Sequence, residues 1–248
     1  MTTTTPQFAA DLTSSNYPEL LRMGHRFVTS IGQRLIVDGF YGAMDFAFGG
    51  DGWFYVLNRY DSNAAQPKVR FAVCNLDDEF PRNIDPRVDG QSLAGKEGQW
   101  DSAVFCDSDK KGNLFFTDER ANQIVTLSQE QGDVTAVWGE SGSEPGQLDG
   151  ASGITYLADD TFWIISSRSS LVQHFTRDGN YIKGFGEQGS KPGQLSYPWG
   201  VAADPVDGSI VVADWRNDRI QRFTVQGELL QVIDELGRDG GRLNRPSD

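Results

Sequence analysis

Apolar residues in this chain fall in short runs bounded by Gly, Asp or Asn, and few segments carry the spacing of a long amphipathic helix. The stretch from Lys191 to Gly227 shows the pattern most fully. A Gly-rich entry leads to an apolar run at Val201 to Ala203, a turn at Asp207-Gly208, and a second run from Ile210 to Ala213 closed by Asp214. A polar turn and an amphipathic run, Arg219 to Phe223, follow. This order predicts three consecutive strands, and Glu228 to Ile233 adds a fourth beyond the turn at Gln226-Gly227. Asp-Gly suits the tight turn because glycine takes positive φ without steric cost. A single four-stranded sheet with two apolar faces cannot bury both of them, so it needs neighbours on either side.

Laying the chain against itself supplies those neighbours. The entry Gly-Gln-hydrophobic occurs at Gly98-Gln99-Trp100, Gly146-Gln147-Leu148 and Gly193-Gln194-Leu195, and in altered form at Gly241-Arg242-Leu243, at intervals of 48, 47 and 48 residues. Tight turns recur at Asp51-Gly52, Lys111-Gly112, Asp159-Asp160 and Asp207-Gly208. Second strands end on a short polar residue, Asn58, Asp118, Ser166 or Asp214. Third strands are predicted at Val69 to Val73, Gln123 to Leu127, Leu171 to Phe175 and Arg219 to Phe223, and outer strands end at Trp138-Gly139, Phe185-Gly186 and Leu236-Gly237. A period of this length with four strands per unit predicts an all-β fold, a β-propeller of four-stranded antiparallel blades at about 42–97, 101–142, 152–189 and 199–240. Residues 241–248 begin a further blade. Ahead of the blades, residues 1–24 are rich in Thr, Ser and Pro and predict a flexible arm, and 25–31 predicts a strand standing alone, placed as the outer strand of a closing blade.

The segment Gly189 to Phe223, GSKPGQLSYPWGVAADPVDGSIVVADWRNDRIQRF, resembles the NHL repeat, whose pattern is G-x-x-x-G-Q-[LF], then P-x-G-[IV]-A-V-D, D-G-x-I-Y-V-A-D and N-x-R-I-Q-x-F. The resemblance is strong over 98–248 and weak over 42–97, where Ser62 to Lys68 reads as a lengthened turn. NHL propellers usually have six blades, so the resemblance implies that four are visible here in a piece truncated at its C-terminus. Closure by two chains, or a smaller ring, is the alternative. The family spans RNA-binding modules, protein-binding scaffolds and enzymes such as the peptidyl-hydroxyglycine amidating lyase, so it implies fold far more than activity.

Charge narrows the partners. A formal net charge of -13 with no basic run argues against binding along a nucleic-acid backbone. The N-terminal stretch lacks the charged and apolar regions of a secretory signal, and no apolar stretch reaches the ~20 residues of a membrane-spanning helix, so a soluble, cytoplasmic protein is expected. Cys74 and Cys106 fall on different kinds of strand in adjacent units, which predicts two buried free thiols. No reading of the residues sets the oligomeric state.

In a propeller the turns between second and third strands share one face with the linkers between blades, around the mouth of the central channel. That face is expected to carry Tyr60, Arg120, Arg168 and Arg216, two residues beyond the aligned polar positions, with Asp101, Ser152, Tyr197 and Trp199 from the linkers. Arginines at equivalent places in consecutive blades can converge on an anion, since the planar guanidinium binds carboxylate or phosphate through two donors. The competing expectation pairs these arginines with strand-ending Asp118 and Asp214. Asp45 interrupts the innermost strand of the first blade, which predicts a channel-lining carboxylate in water, with a divalent cation as the alternative. The amidating lyase that the fold resembles holds zinc through histidines, but this chain has only His25 and His174, and His174 aligns with Thr126 and Arg222 as blade surface. The expected role is therefore a binding scaffold for a protein or a small anionic ligand, with no cofactor. The alternative is a lyase or lactone-type hydrolase assisted by zinc or calcium at the channel mouth.

Overall fold

The computed structural model describes residues 40, 42–59, 69–77, 79–92, 100, 102–236 and 241–247. Four antiparallel sheets follow one another along them. The first blade contains β1 (Ala43–Phe48), β2 (Phe54–Arg59), β3 (Val69–Cys74) and β4 (Arg82–Ile84). A small hairpin, β5 (Arg87–Val88) and β6 (Gln91–Ser92), precedes the second blade, β7 (Ala103–Ser108), β8 (Asn113–Asp118), β9 (Gln123–Ser128) and β10 (Val134–Trp138). The third is β11 (Ala151–Tyr156), β12 (Thr161–Ser166), β13 (Leu171–Thr176) and β14 (Tyr181–Phe185). The fourth is β15 (Val201–Ala203), β16 (Ile210–Asp214), β17 (Arg219–Phe223) and β18 (Leu229–Ile233), and the hairpin β19 (Glu235–Leu236) and β20 (Gly241–Arg242) follows it. Strands pair in chain order within every blade, and first strands β1, β7, β11 and β15 lie side by side, which makes the arrangement a β-propeller. The arm 1–24, the strand at 25–31 and the turn Ser62 to Lys68 lie outside the described residues.

Period-two alternation sends each strand's side chains to two different interfaces. In β12, Phe162 and Ile164 pack toward the second blade, while Trp163 and Ile165 pack toward the fourth. Tyr55, Leu57, Phe71 and Val73 meet Cys106, Leu114, Phe116 and Val125 between the first and second blades. Cys74 and Cys106 are free and buried. The remaining face of the first blade is apolar too, and there Phe46 is 51% and Phe48 52% exposed. They border a groove of about 450 Å³ lined by Phe40, Met44, Phe54, Val56 and Leu76.

The repeated entry motif folds the linkers. Gln147 accepts from the Glu144 amide and donates to the Glu140 carboxylate at 3.0 Å, while the Leu148 amide donates to the Glu140 carbonyl at 2.7 Å and drops Leu148 into the core. Gln194, Lys191, Glu187 and Leu195 repeat the arrangement one blade later. Gly146 and Gly193 each donate an amide hydrogen to a third-strand glutamine, Gln173 or Gln221. Gly139 and Gly186, at φ 130° and 129°, explain the aromatic-Gly ending of the outer strands, because a Cβ there would lie 2.3 Å from the carbonyl oxygen of Asn122 or Ser170. In the fourth blade the predicted outer strand divides instead: β18 stops at Ile233, and Glu235–Leu236 pairs with Gly241–Arg242. The Leu243 amide then donates to the Asp234 carbonyl at 3.2 Å, as Leu148 and Leu195 do in their blades.

Carboxylates tie the blades at backbone level. Asp45, expected to face water in the channel, has its two oxygens on amides: Oδ1 accepts from Phe46 and Oδ2 from Cys106 in the next blade, both at 2.8 Å. Asp107 does the same with Ser108 and with Tyr156 of the third blade, both at 2.7 Å. Burial pushes the Asp107 carboxyl above its ordinary pKa, against the pull of those two amides. Next to that link, in the turns that follow β7 and β11, Arg177 bridges Asp109 at 3.1 Å and Asp160 at 3.3 Å.

Asp214 is a buried carboxylate with its counter-charge buried beside it. It is fully buried and accepts from Arg219 Nε at 2.7 Å, the Ser196 amide at 2.7 Å, Asn217 Nδ2 at 2.8 Å and Gln221 Nε2 at 3.0 Å. In the third blade Ser166 replaces the carboxylate and Leu171 replaces the arginine, so the charge is lost on both partners together. Removing one member of such a pair leaves the other buried and uncompensated, a loss of about 3–5 kcal/mol. We expect Asp214→Ser and Arg219→Leu each to destabilise the protein by about that amount. The double variant, which copies the third blade, should lose less than the sum of the two by at least about 1 kcal/mol; denaturant unfolding of the four proteins measures this coupling, and strict additivity would refute it.

Candidate functional site

In the second, third and fourth blades the channel-mouth face is assembled by pinning the turn between second and third strands to the linker before its own blade. In the second blade Asp118 accepts from the amides of Arg120 at 3.0 Å, Ala121 at 2.8 Å and Ser102 at 2.9 Å, and Glu119 donates its amide to the Ser102 carbonyl. In the third blade the amides of Ser167 and Arg168 donate to the carbonyls of Gly150 and Asp149. The fourth turn is a 3-10 turn, Trp215–Asn217, with the Arg216 amide donating to the Ser196 carbonyl at 3.1 Å. Neighbouring blades are joined by Asn122, whose Oδ1 accepts from Gly150 at 2.7 Å, and by Asp218, whose Oδ1 accepts from Arg245 at 2.9 Å. Short polar side chains in left-handed turns are suited to this because they reach backbone amides without needing a helix or strand.

On that frame the side chains form a row across blades. Arg168 leans toward the second blade and pairs with Glu119 at 3.0 Å and with Asp149 of its own linker at 3.6 Å. Burial works against its charge, but Glu119, Tyr197 and Asp149 outweigh it and hold the guanidinium pKa above its ordinary value. The Tyr197 hydroxyl donates to the same Glu119 oxygen at 3.4 Å. Arg216 lies over the Tyr197 ring at 4.5 Å and over Trp215 at 5.9 Å, and Arg245 lies over Trp215 at 4.8 Å. Tyr197 also stacks on Trp199, with ring centroids 6.0 Å apart and planes 14° apart. Cation–π contacts at partly exposed sites contribute about 0.5–1 kcal/mol each, enough to orient an arginine without burying it.

Of the expected residues, the structure brings Arg168, Arg216, Tyr197 and Trp199 together. Arg120 is exposed on the equivalent turn of the second blade. Trp199 also serves the core, packing edge-on to Phe105 at 6.1 Å. Ser152 is fully buried at the start of β11 and is not presented at the mouth. Asp45 is a strap between inner strands, as described above. Tyr60 and Asp101 lie outside the described residues. The pairing of turn arginines with strand-ending carboxylates takes a different form: Arg219 holds Asp214, leaving Arg216 to stack on Tyr197, and Arg168 takes Glu119.

Glu119, Trp215 and Arg245 belong to the row but were not singled out from the sequence. Glu119 and Trp215 each precede a selected arginine by one residue. Arg245 stands one repeat beyond Tyr197, which itself stands one repeat beyond Gly150, and all three have positive φ, 48°, 53° and 72°. The repeat therefore carried the signal for Arg245.

Metal ligation gains no cluster: among the described residues no three His, Cys, Asp or Glu side chains gather in a way that could hold an ion. His25 lies outside the described residues. His174 sits in the third strand, stacked on Trp163 with centroids 4.5 Å apart and planes 7° apart, and its Nε2 is 2.8 Å from Thr161 Oγ1. Burial, reinforced by Lys183, pushes its pKa below the ordinary value. The folded chain therefore binds this proton more weakly than the unfolded chain, so its contribution to stability is complete above pH ~6.5 and falls away as pH drops from there toward the lowered folded value. His174→Phe, which retains a ring on Trp163, is expected to flatten this part of the acid-side decline in Tm between about pH 7 and pH 5; parallel declines for both proteins would exclude His174 as a source.

Comparison with known proteins agrees with this architecture. The NHL repeat family model matches residues 195–223. Comparison with curated protein sequences gave no match. Among solved structures, a streptogramin B lyase aligns with a TM-score of 0.53 at 17% identity, covering 79% of this chain and 55% of its own. A catalytically inactive virginiamycin B lyase from Staphylococcus aureus with quinupristin aligns at 0.52 and 15% identity, covering 76% and 54%. A protein of unknown function from Bacteroides caccae aligns at 0.51 and 11% identity, covering 79% and 62%. The chain thus spans about half the length of the two lyases, and at these identities the likeness is one of fold.

Proposed function

We propose that this NHL-type β-propeller is a binding scaffold that presents the channel-mouth face of its blades to a protein partner or a small anionic ligand. The observation that carries this reading is the row of Arg168, Tyr197 and Arg216, supplied by two turns and a linker, with each turn hydrogen-bonded through its backbone to the linker before its blade. Loops pinned to a stiff frame lose little entropy when they bind, which is the usual reason for recognition to sit there. Arg216 has no carboxylate partner among the described residues, and its donors are directed by stacking instead of by an ion pair. An enzyme on the same face, with zinc or calcium at the channel mouth, is the competing reading and draws on the lyases among the structural neighbours. Stoichiometric, tightly held metal in the purified protein would favour it.

The combined variant Arg120→Ala, Arg168→Ala and Arg216→Ala should lose at least about tenfold in affinity for proteins or small molecules that co-purify with the wild type, while Tm moves by only a few degrees. Arg222→Ala, at the opposite end of the fourth blade with Asp204 and Asp207, serves as the comparison and should retain them. An identical set of bound molecules, at equal affinity, on wild type and triple variant would overturn the binding-face reading.

A further inference from the structure

Four arginines of the second to fourth blades hold carboxylates in ion pairs. Arg168 holds Glu119 and Asp149, Arg177 holds Asp109 and Asp160, Arg219 holds Asp214, and Arg222 holds Asp204 and Asp207. In a chain with 35 acidic and 22 basic residues, such pairing is easily met. Arg216 and Arg245 depart from it. Both are exposed, neither has a carboxylate partner among the described residues, and both lie against one indole ring, that of Trp215. Arg216 is further held on its Tyr197 side at 4.5 Å. Stacking occupies the flat faces of a guanidinium and leaves its in-plane donors directed outward, which is the geometry that meets a carboxylate through two parallel hydrogen bonds.

We propose that Tyr197, Trp215, Arg216 and Arg245 form a site for an acidic peptide segment of a partner protein, with two of its carboxylates taken by Arg216 and Arg245 and its chain passing over Trp215. This inference rests on the scaffold reading and gives it a ligand class. The ligand is peptide-like because positive charge here is discrete: Glu119, Asp149 and Asp218 lie in the same turns and linkers. A phosphodiester chain, with a charge at each unit, would meet these carboxylates, and the net charge of -13 opposes it at longer range. Separated side-chain carboxylates can reach the two arginines and avoid the acids between them. Position in the repeat adds support, since Arg245 occupies the place that Tyr197 holds one blade earlier, so the site joins two successive linkers across one turn.

The test uses the full chain and fluorescence anisotropy with a labelled peptide of alternating Gly and Glu, the same peptide with Gln for Glu, and a labelled oligouridine, at about physiological salt. Saturable binding of the acidic peptide is expected. Arg216→Gln combined with Arg245→Gln should weaken it at least about tenfold, and Arg222→Gln should change it less than about twofold, with melting curves establishing that each variant is folded. Arg216→Lys keeps the charge but loses the planar fork, and it should also weaken binding severalfold. Equal binding of the Glu and Gln peptides, equal affinity of wild type and the double Gln variant, or full activity of Arg216→Lys would overturn the site. Tighter binding of oligouridine, lost in the double variant, would overturn the peptide and reassign the residues to a phosphodiester. Absence of peptide binding by wild type would overturn this inference alone, because the scaffold reading is judged separately by the Arg120, Arg168 and Arg216 comparison.

Discussion

A sheet that is apolar on both faces is the constraint on which this structure depends. Phe162 and Trp163 are successive residues of one strand and both are fully buried, which is possible only with a packed sheet on each side. Stacking blades around an axis meets the requirement in series, because each new blade covers the face its predecessor left open. On the first blade no further sheet among the described residues packs against the outward face, where Phe46 and Phe48 are half exposed beside an apolar groove.

Apolar packing between flat, similar sheets specifies register weakly, and polar links add the specificity here. Asp45 and Asp107 each tie one inner strand to an amide of the next. Gln173 and Gln221 read the linker backbone in both directions, accepting from a glycine amide and donating to the carbonyl of Gln147 or Gln194. In the fourth blade the counter-charge of buried Asp214 is buried beside it, and where the third blade gives up one it gives up the other, while buried Asp118 of the second blade is held by backbone amides. These links also fix the turns and linkers at the channel mouth, so the rigidity of the candidate site follows from the way the blades are joined.

The strand plan, the blade boundaries and the repeat were legible in the sequence because they rest on local rules. Alternation marks strands, Asp-Gly marks turns, and an interval of about 48 residues marks the unit. Trp138-Gly139 and Phe185-Gly186 could be aligned from sequence, but the close approach that excludes a Cβ is a contact with the preceding turn and appears only in three dimensions. The division of β18 from β19 was likewise hidden, since the break at Asp234 is set by the docking of Leu243 onto it.

By itself, then, the sequence determined that this is an all-β chain of repeated four-stranded units and named the turns on which a site would sit. Tertiary structure decided which side chains meet there. Arg216 could equally reach Asp214 or Tyr197 on sequence spacing, and the choice fell to Arg219, whose strand position carries it into the buried carboxylate first. Asp45 could face a channel or a neighbour, and the next blade's inner strand took it 61 residues away. Contacts of that range depend on the angle and spacing between packed sheets, a quantity set by the sum of core side chains and written in no single motif.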